Sequence, residues 1–274
     1  MSDAFHPSIP AEARPVLARL RAHRSIRRFR PDPVPAEYLA EILEAARRAS
    51  SSGNMQSYSI IVTRDALRRR ELHALHFEQD LVLEAPVFLT FCADFRRMRR
   101  WLALSEAADN FDNEFSFGVG AIDAILASQH AATAAEALGL GICYLGTTLA
   151  QTGLIAKALR CPPGVVPVVG FALGRPAEHP ALRDRLPLES LVHEEDYRDP
   201  SDEDVRRAYA ERERAGWKRY AENPELAERM RESGVKNLAQ VYTTLKYTRE
   251  SHLGYSRHLL ETLRAQDFTP KPKS

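Results

Sequence analysis

One stretch of the chain, residues 117–138, consists almost entirely of small and apolar residues. Read as a helix, its sequence FGVGAIDAILASQHAATAAEAL places apolar side chains on most faces. A helix of this composition is stable only where most of its surface is removed from water. The stretch therefore predicts a helix at the centre of the fold or against a second subunit, ended by Gly139 and Gly141.

Short apolar runs alternate with helical patterns on both sides of this stretch. The runs predict strands at residues 58–63, 86–94, 142–146 and 165–174. Apolar residues at helical spacing predict further helices at residues 15–22, 35–46, 65–76 and 150–159. Strands separated by helices indicate a layered arrangement of helices and sheet, and argue against a helical bundle or a β-sandwich.

The last third of the chain has a different character. After a linker-like stretch rich in Pro and Arg, the sequence becomes heavily charged, with helical patterns at residues 201–220, 224–233 and 237–266. We predict a core at 13–198, a charged helical extension at 199–267 that wraps over the core or a partner subunit, and a disordered tail at 268–274.

Charge and cysteine content exclude several classes of protein. Lys and Arg number 38 and Asp and Glu number 37, so the net charge is +1. This balance argues against nucleic acid or an anionic membrane as a partner. The longest uncharged stretch, 137–156, is broken by glycines and threonines and makes a poor membrane span. Three scattered cysteines without a CxxC pair suggest neither a zinc site nor a disulfide framework. The N-terminus has no apolar signal region. We therefore expect a cytoplasmic protein.

A basic segment at residues 22–29, AHRSIRRF, is a candidate anion site. Ser25 can donate one hydrogen bond to an anion that lies between the guanidinium groups of Arg24 and Arg27. Guanidinium groups suit the planar, bidentate binding of phosphate. The alternative is an ordinary solvated basic face. Arg28 is expected to point the other way.

Two other polar segments allow the same pair of interpretations. Residues 49–57, ASSSGNMQS, form either a ligand-contacting loop or a simple helix-terminating loop. Arg183 and Arg185 stand two residues apart in a Pro-bounded extended segment, so both can face one phosphate or both can be merely exposed. The glycine-rich LGLGICYLG run lacks the G-x-G-x-x-G pattern and leads from a helix into a strand, which favours helix-ending glycines over a dinucleotide loop.

Five segments, in order, resemble the FMN-dependent nitroreductase superfamily. They are HRSIRRF, YLAEILEAARRASSSGNMQSYSIIV, EAPVFLTFCADF, AATAAEALGLGICYLG and VVPVVGFALGRPAEHPALRDRLP. Their order and spacing most resemble the branch of oxygen-insensitive NADPH nitroreductases and flavin reductases. The resemblance covers residues 20–198.

This resemblance implies an α+β, nitroreductase-like fold, with a central mixed, mainly antiparallel sheet flanked by helices and a helical C-terminal extension. It also implies a homodimer with FMN at the subunit interface, contacted by both subunits. The residues that match the family's FMN-binding positions are His23, Arg24, Ser25, Arg27, Ser51, Gln79, Tyr144, Leu145, Gly146, Arg183 and Arg185.

These positions divide between the two ends of FMN. By resemblance, the segment from His23 to Arg27 holds the phosphate and ribityl oxygens, and Arg183 with Arg185 binds the phosphate. Lys is expected at position 183, and Arg keeps the charge.

The remaining matched positions belong to the ring end. Ser51 matches a loop residue that the other subunit supplies, and Gln79 matches a glutamine at the pyrimidine edge of the flavin. The segment Tyr144–Gly146 matches the lining of the ring face and of N5. Thr147 stands where the family commonly has a second glycine.

The implied function is an FMN-dependent NAD(P)H oxidoreductase that reduces nitroaromatics, quinones or free flavins by ping-pong two-electron transfer. No catalytic side chain and no metal are required, because the chemistry takes place at flavin N5. The arginines of residues 205–250 do not match the family's 2′-phosphate-reading segment, so NADPH is only modestly preferred over NADH. Two alternatives stay open: a specialised flavoenzyme of the same fold with another substrate, and a non-enzymatic flavin-binding or flavin-sensing protein.

Overall fold

A computed structural model describes residues 5–270 of the chain. The described residues form two compact units: one contains residues up to Ala181 together with those from Tyr255 onward, and the other is Leu182–Gly254. Of the predicted disordered tail at 268–274, the last four residues lie outside the described range. The predicted core and extension, with their boundary after residue 198, stay a prediction.

A four-stranded antiparallel sheet lies at the centre of the first unit. Its strands are β1 Tyr58–Thr63, β2 Val87–Asp94, β3 Gly141–Leu145 and β4 Val165–Gly174, in the order β1-β2-β4-β3. Each strand lies within one residue of its predicted bounds, which confirms the predicted α+β class. Among the described residues, parallel pairing occurs as an isolated bridge between Ser25 and Ile142.

The described chain contains twelve α-helices. They are α1 Arg14–Arg21, α2 Ala36–Arg47, α3 Ala66–Leu75, α4 Leu81–Glu84, α5 Arg96–Leu104, α6 Glu114–Ala137, α7 Thr147–Ala150, α8 Thr152–Ala158, α9 Asp202–Ala221, α10 Pro224–Ser233, α11 Leu238–Val241 and α12 Arg249–Ala265. None of them is both long enough and apolar enough to cross a membrane, within residues 5–270.

Two predicted helices are divided in the structure. The predicted helix at 150–159 is the pair α7 and α8, which meet at Gln151. The predicted helix at 237–266 consists of α11, a π-helical turn at Tyr242–Lys246 and α12. The break falls where the backbone N–H of Tyr247 donates to the carbonyl of Tyr242 at 2.6 Å, five residues back, so the α-helical pattern ends there.

Helix α6 is the predicted apolar helix and packs along the sheet. Asn113 caps its start by accepting from the N–H of Ser116, and Gly139 follows its end with a φ of +76°, which confirms the helix-ending role of that glycine. The alanines of one face, Ala124, Ala127, Ala131 and Ala135, are fully buried. Their small side chains let the helix approach the sheet closely.

A separate apolar cluster joins Leu263 and Phe268 to the sheet. Phe95, Val166, Leu263 and Phe268 are buried together. The ring of Phe268 lies edge-on to the ring of Phe117, with 5.8 Å between centroids. Phe268 is therefore part of the packed core, and its assignment to a disordered tail was wrong.

The second unit contains α9, α10, α11 and the start of α12. Helix α9 begins with a capping box, in which Ser201 and Asp204 exchange hydrogen bonds, as the charged sequence after residue 199 allows. The side chain of Asp184 is bound by Arg212 of α9, with 2.5 Å between its Oδ2 and the guanidinium Nε. This ion pair holds the 183–185 segment against α9.

Candidate functional site

Three polar side chains of α6 each bind a segment that the sequence predicts to contact FMN. Glu136 Oε1 lies 2.6 Å from His23 Nδ1, and Asp123 Oδ2 accepts from Ser51 Oγ at 2.9 Å. Ser128 Oγ accepts from the hydroxyl of Tyr144 at 3.1 Å. Segments far apart in the sequence are therefore brought together along a single helix.

The segment from His23 to Arg27 lies beside β3. The N–H of Ile26 donates to the carbonyl of Ile142 at 2.8 Å. Ile26 is buried directly over Gly141, where an added Cβ would come within 2.7 Å of Ile26 Cγ1. The first predicted FMN segment is thus fixed next to the strand that ends in Tyr144 and Leu145.

Arg24 lines a cavity of about 160 Å³ at this segment. Its Nε atom is buried and has no hydrogen-bond partner among the described residues. Glu136 and Glu178 also line the cavity. Both are already engaged: Glu136 with His23, and Glu178 Oε1 with the backbone N–H of Arg27 at 2.5 Å. An unmet guanidinium donor in a cavity of this size fits an anionic group such as a phosphate.

The other two arginines of the basic segment, Arg27 and Arg28, are more exposed than Arg24. The side chain of Arg27 is exposed, while its backbone is held by Glu178. Arg28 Nε lies 3.2 Å from Glu84 Oε1, and the Arg28 side chain is 67% exposed. Arg28 therefore pairs with α4 rather than with the cavity at Arg24.

A buried carboxylate organises the Ser51 loop. Asp123 is fully buried in α6, and its Oδ1 accepts from the N–H of Ser52 at 2.9 Å. Its Oδ2 accepts from Ser51 Oγ at 2.9 Å, and from the N–H and the hydroxyl of Ser57 at 3.1 and 2.7 Å. Burial by itself raises the pKa of Asp123, but these hydrogen bonds outweigh burial and the net shift is downward. The carboxylate is therefore ionised and fixes both ends of the loop.

Gln79 and Gly146 are linked through a buried histidine. Gln79 Nε2 donates to the carbonyl of His76 at 3.0 Å, and His76 Nδ1 lies 2.6 Å from Thr147 Oγ1. Burial lowers the pKa of His76 to about 4, so the imidazole is neutral at neutral pH. The 76–79 loop and the turn after β3 are thus held together.

The segment Tyr144–Gly146 has a buried and an open part. Burial raises the pKa of Tyr144 to about 12, which keeps its hydroxyl protonated as the donor to Ser128. Leu145 is buried, whereas Gly146 is exposed, and a Cβ added there would meet no atom within 4 Å. The turn at Gly146 leaves room for a flat group to approach the backbone.

Arg183 and Arg185 belong to the second unit. Arg185 Nη1 donates back to the carbonyl of Asp184 at 3.0 Å, and the Arg185 side chain is exposed. Asp184, between them, is held by Arg212. That Arg183 and Arg185 share one phosphate with Arg24 stays a prediction.

Sequence reasoning missed the residues that hold the predicted segments in place. Asp123 carried a signal, because a carboxylate inside an otherwise apolar helix needs buried partners. Nothing near His76 in the sequence indicates its partner, since Thr147 lies 71 residues further along the chain.

Comparisons with known proteins identify the family of this chain. The model of the nitroreductase family matches residues 20–175, more than half of the chain. The chain belongs to the nitroreductase family. The match includes α6 and every predicted site residue except Arg183 and Arg185, and it confirms the family that the sequence motifs indicate.

Individual members of the nitroreductase family are similar over most of this chain. An FMN reductase [NAD(P)H] of Bacillus subtilis is 38% identical over 187 residues, which are 66% of this chain and 74% of that protein. An oxygen-insensitive NADPH nitroreductase of Salmonella typhimurium is 38% identical over 197 residues, 72% of this chain and 80% of its own length. The solved structure of the NfrA1 nitroreductase of Bacillus subtilis superimposes with a TM-score of 0.77 at 29% identity, and covers 90% of this chain and 98% of that one.

Loss of the carboxylate that holds the Ser51 loop should destabilise the folded protein. Asp123→Asn replaces one acceptor oxygen with an NH2 group that faces the donors of the loop, so we expect the free energy of unfolding at pH 7 to fall by about 2–3 kcal/mol. Urea denaturation of the purified protein measures this loss. Asp65→Asn is the matched control, because Asp65 caps α3 at an exposed position where Asn caps equally well.

The difference in free energy of unfolding between wild type and Asp123→Asn should depend on pH. Because the folded-state pKa of Asp123 is below its ordinary value of 3.8, its contribution is present above pH 3.8 and is lost as the pH falls through the folded pKa. The gap between wild type and Asp123→Asn should therefore narrow in acid. A gap that is constant from pH 7 to pH 3 would contradict a lowered pKa of Asp123 in the folded protein.

Proposed function

We propose that this chain is an NAD(P)H-dependent flavin oxidoreductase with FMN as its bound cofactor. Membership of the nitroreductase family and similarity to an FMN reductase and an NADPH nitroreductase support this proposal. The observation that carries it in the structure is the buried, unmet Nε of Arg24 at the predicted phosphate end, in one unit with the open turn at Gly146.

The residues at the phosphate end supply positive charge and hydrogen-bond donors. Arg24 would bind the phosphate through its unmet donor, and Ser25 would add a hydroxyl at the edge of β3. Glu136 holds His23 in place at 2.6 Å and so limits the freedom of the whole segment. Arg183 and Arg185 remain proposed phosphate contacts, by resemblance to the family.

The residues at the ring end orient a flat group and exclude water from one side. Tyr144 and Leu145 would line its face, and the open backbone at Gly146 would allow its close approach. Gln79 would bind the polar pyrimidine edge and help to stabilise negative charge there. Bound FMN would supply the two-electron redox chemistry at ring nitrogen N5.

We propose a ping-pong order, in which the electron donor and the acceptor use one site in turn. NAD(P)H would bind and leave before a small acceptor, such as a nitroaromatic, a quinone or a free flavin, binds at the same place. We propose NADPH as the modestly preferred donor. The three cysteines are unpaired, which accords with a reducing, cytoplasmic location.

We further propose a homodimer formed through the outer face of α6. Phe115, Ile122, Ile125 and Leu126 lie along one side of this helix and are exposed, the first by 82% and the last by 39%. This apolar stripe lies on the side of the helix opposite to the buried alanine face. Exposed apolar stripes of this kind are typical of interfaces between subunits.

The function is tested by the spectrum and the redox behaviour of the purified protein. We expect a yellow protein that releases FMN in acid, whose visible absorbance is bleached by NADPH without oxygen and recovers on addition of a quinone. Steady-state rates with NADPH and NADH and a panel of acceptors then rank the donors. A colourless protein that does not take up added FMN would contradict the proposal.

The phosphate end is tested by two arginine variants. Arg24→Ala removes a charge-assisted contact, and we expect the Kd for FMN, measured by quenching of flavin fluorescence, to rise by about 10- to 100-fold. Arg28→Ala removes a similar side chain that pairs with Glu84, so its Kd should stay within about twofold of wild type. Equal weakening by both variants would show that the segment binds with another face.

The subunit interface is tested by charge on the apolar stripe of α6. We expect wild type to elute at twice the mass of the chain in light-scattering chromatography, and Ile125→Glu to elute at the mass of one chain, because an interfacial carboxylate is costly to desolvate. Leu67→Glu is the control on α3, where Leu67 is 66% exposed. A dimeric Ile125→Glu variant would place the interface elsewhere.

A further inference from the structure

His76 is a buried polar group that the proposed chemistry does not use. It is fully buried among apolar side chains, and its ring lies 5.1 Å from the ring of Phe88 between centroids. Its Nε2 atom is buried and has no partner among the described residues. A leucine or phenylalanine would fill such a place without leaving a polar atom unsatisfied.

Among the described residues, the His76 imidazole makes a short polar contact with Thr147. His76 Nδ1 and Thr147 Oγ1 are 2.6 Å apart. Thr147 is the first residue of α7 and directly follows Gly146. The carbonyl of the same histidine accepts from Gln79 Nε2 at 3.0 Å. One residue therefore touches both the turn after β3 and the side chain of Gln79.

The loop that follows His76 has a backbone that needs support. Phe77 and Glu78 both have a φ of +54°, a conformation that non-glycine residues rarely adopt. The N–H of Glu78 donates to the carbonyl of His73 at 3.0 Å, and the N–H of His76 donates to the carbonyl of Leu72 at 2.9 Å. Two successive left-handed residues persist only where surrounding contacts over-determine the conformation.

We propose that His76 and Thr147 form a positioning pair that sets the distance between the Gln79 loop and the Gly146 turn, and so holds both sides of the flavin ring site in register. The proposal rests on the proposed function, because the two elements it joins are the predicted ring contacts. His76 acts through Gln79 and Thr147 and does not touch the ring itself. Thr147, which stands where the family commonly has glycine, supplies the hydroxyl that makes the contact possible.

The pair explains why a polar ring is kept in an apolar place. A hydrogen bond between neutral groups is directional, so it fixes one separation of the two elements, whereas apolar packing tolerates small shifts. Neutral partners suit the position, because a charged imidazole would have to be desolvated next to Phe88.

The test compares three threonine variants. Thr147→Val keeps the shape of the side chain and removes its hydroxyl, and Thr147→Ser keeps the hydroxyl. Thr152→Val is the matched control, because Thr152 also lies at the start of a short helix, and its buried hydroxyl donates to the carbonyl of Pro167 at 2.7 Å. Each variant is measured without and with FMN.

We expect Thr147→Val to raise the Kd for FMN by about five- to tenfold, the loss typical of one hydrogen bond, and Thr147→Ser to stay within about twofold of wild type. In the apo-protein, hydrogen exchange of the peptide at residues 76–84 should accelerate in Thr147→Val. Thr152→Val should lower the Tm of the apo-protein and leave both the Kd and the exchange of that peptide unchanged.

Three results would overturn the pair as a positioning device. The first is an unchanged Kd and unchanged exchange at 76–84 in Thr147→Val. The second is equal weakening of FMN binding by Thr147→Val and Thr152→Val, which would indicate general destabilisation. The third is failure of Thr147→Ser to restore binding. A wild-type protein that does not bind FMN would overturn the proposed function as well, whereas normal binding by wild type and Thr147→Val alike would overturn this inference alone.

Discussion

The close packing of α6 on the sheet is the constraint on which the rest of the site depends. Its alanine face is fully buried, and Gly120 brings the backbone so near that an added Cβ would lie 3.0 Å from the carbonyl oxygen of Ser57. At this distance, water cannot satisfy the polar groups of the helix that point inward. Asp123 and Ser128 are buried and must find protein partners, and both bind a residue of a predicted FMN segment, as does the partly buried Glu136. Burial of the helix thus determines where these segments lie.

The two ends of the predicted site differ in their electrostatic surroundings. Near Arg24, the acidic side chains that line the cavity already have partners, since Glu136 contacts His23 and Glu178 accepts from the backbone N–H groups of Arg27 and Arg28. An uncompensated guanidinium donor is what a phosphate requires. Around Gln79 and Gly146 the contacts are neutral, from the Tyr144 hydroxyl to the imidazole of His76. A neutral surround leaves the charge of a bound ring to be set by the few donors at its edge.

Much of the fold could be predicted from the sequence, because its strands are short apolar runs bounded by turn residues. The four strands were correct to within one residue for this reason. The break within residues 237–266 was missed, because tertiary contacts between tyrosine rings accompany it and no Gly or Pro marks it. Tyr242 packs against Tyr220 and Tyr247 of the same unit, with ring centroids 6.4 and 5.7 Å apart. Phe268 was misjudged because the polar residues that follow it conceal its burial.

The site was harder to predict, since its supporting contacts join distant parts of the chain. Ser51 and Asp123 are 72 residues apart, and His23 and Glu136 are 113 apart. Motif resemblance selects the residues expected at the ligand, but it does not select those that hold them.

Asp123 is next in sequence to Ile122, which lies on the exposed apolar stripe of α6. In the proposed dimer, the helix that forms the interface with one face also binds the Ser51 loop through Asp123, so each subunit would present a loop already fixed by four hydrogen bonds to the ring site of its partner. Less conformational entropy is then lost when the interface forms, which favours a site shared between subunits over one closed by a mobile loop.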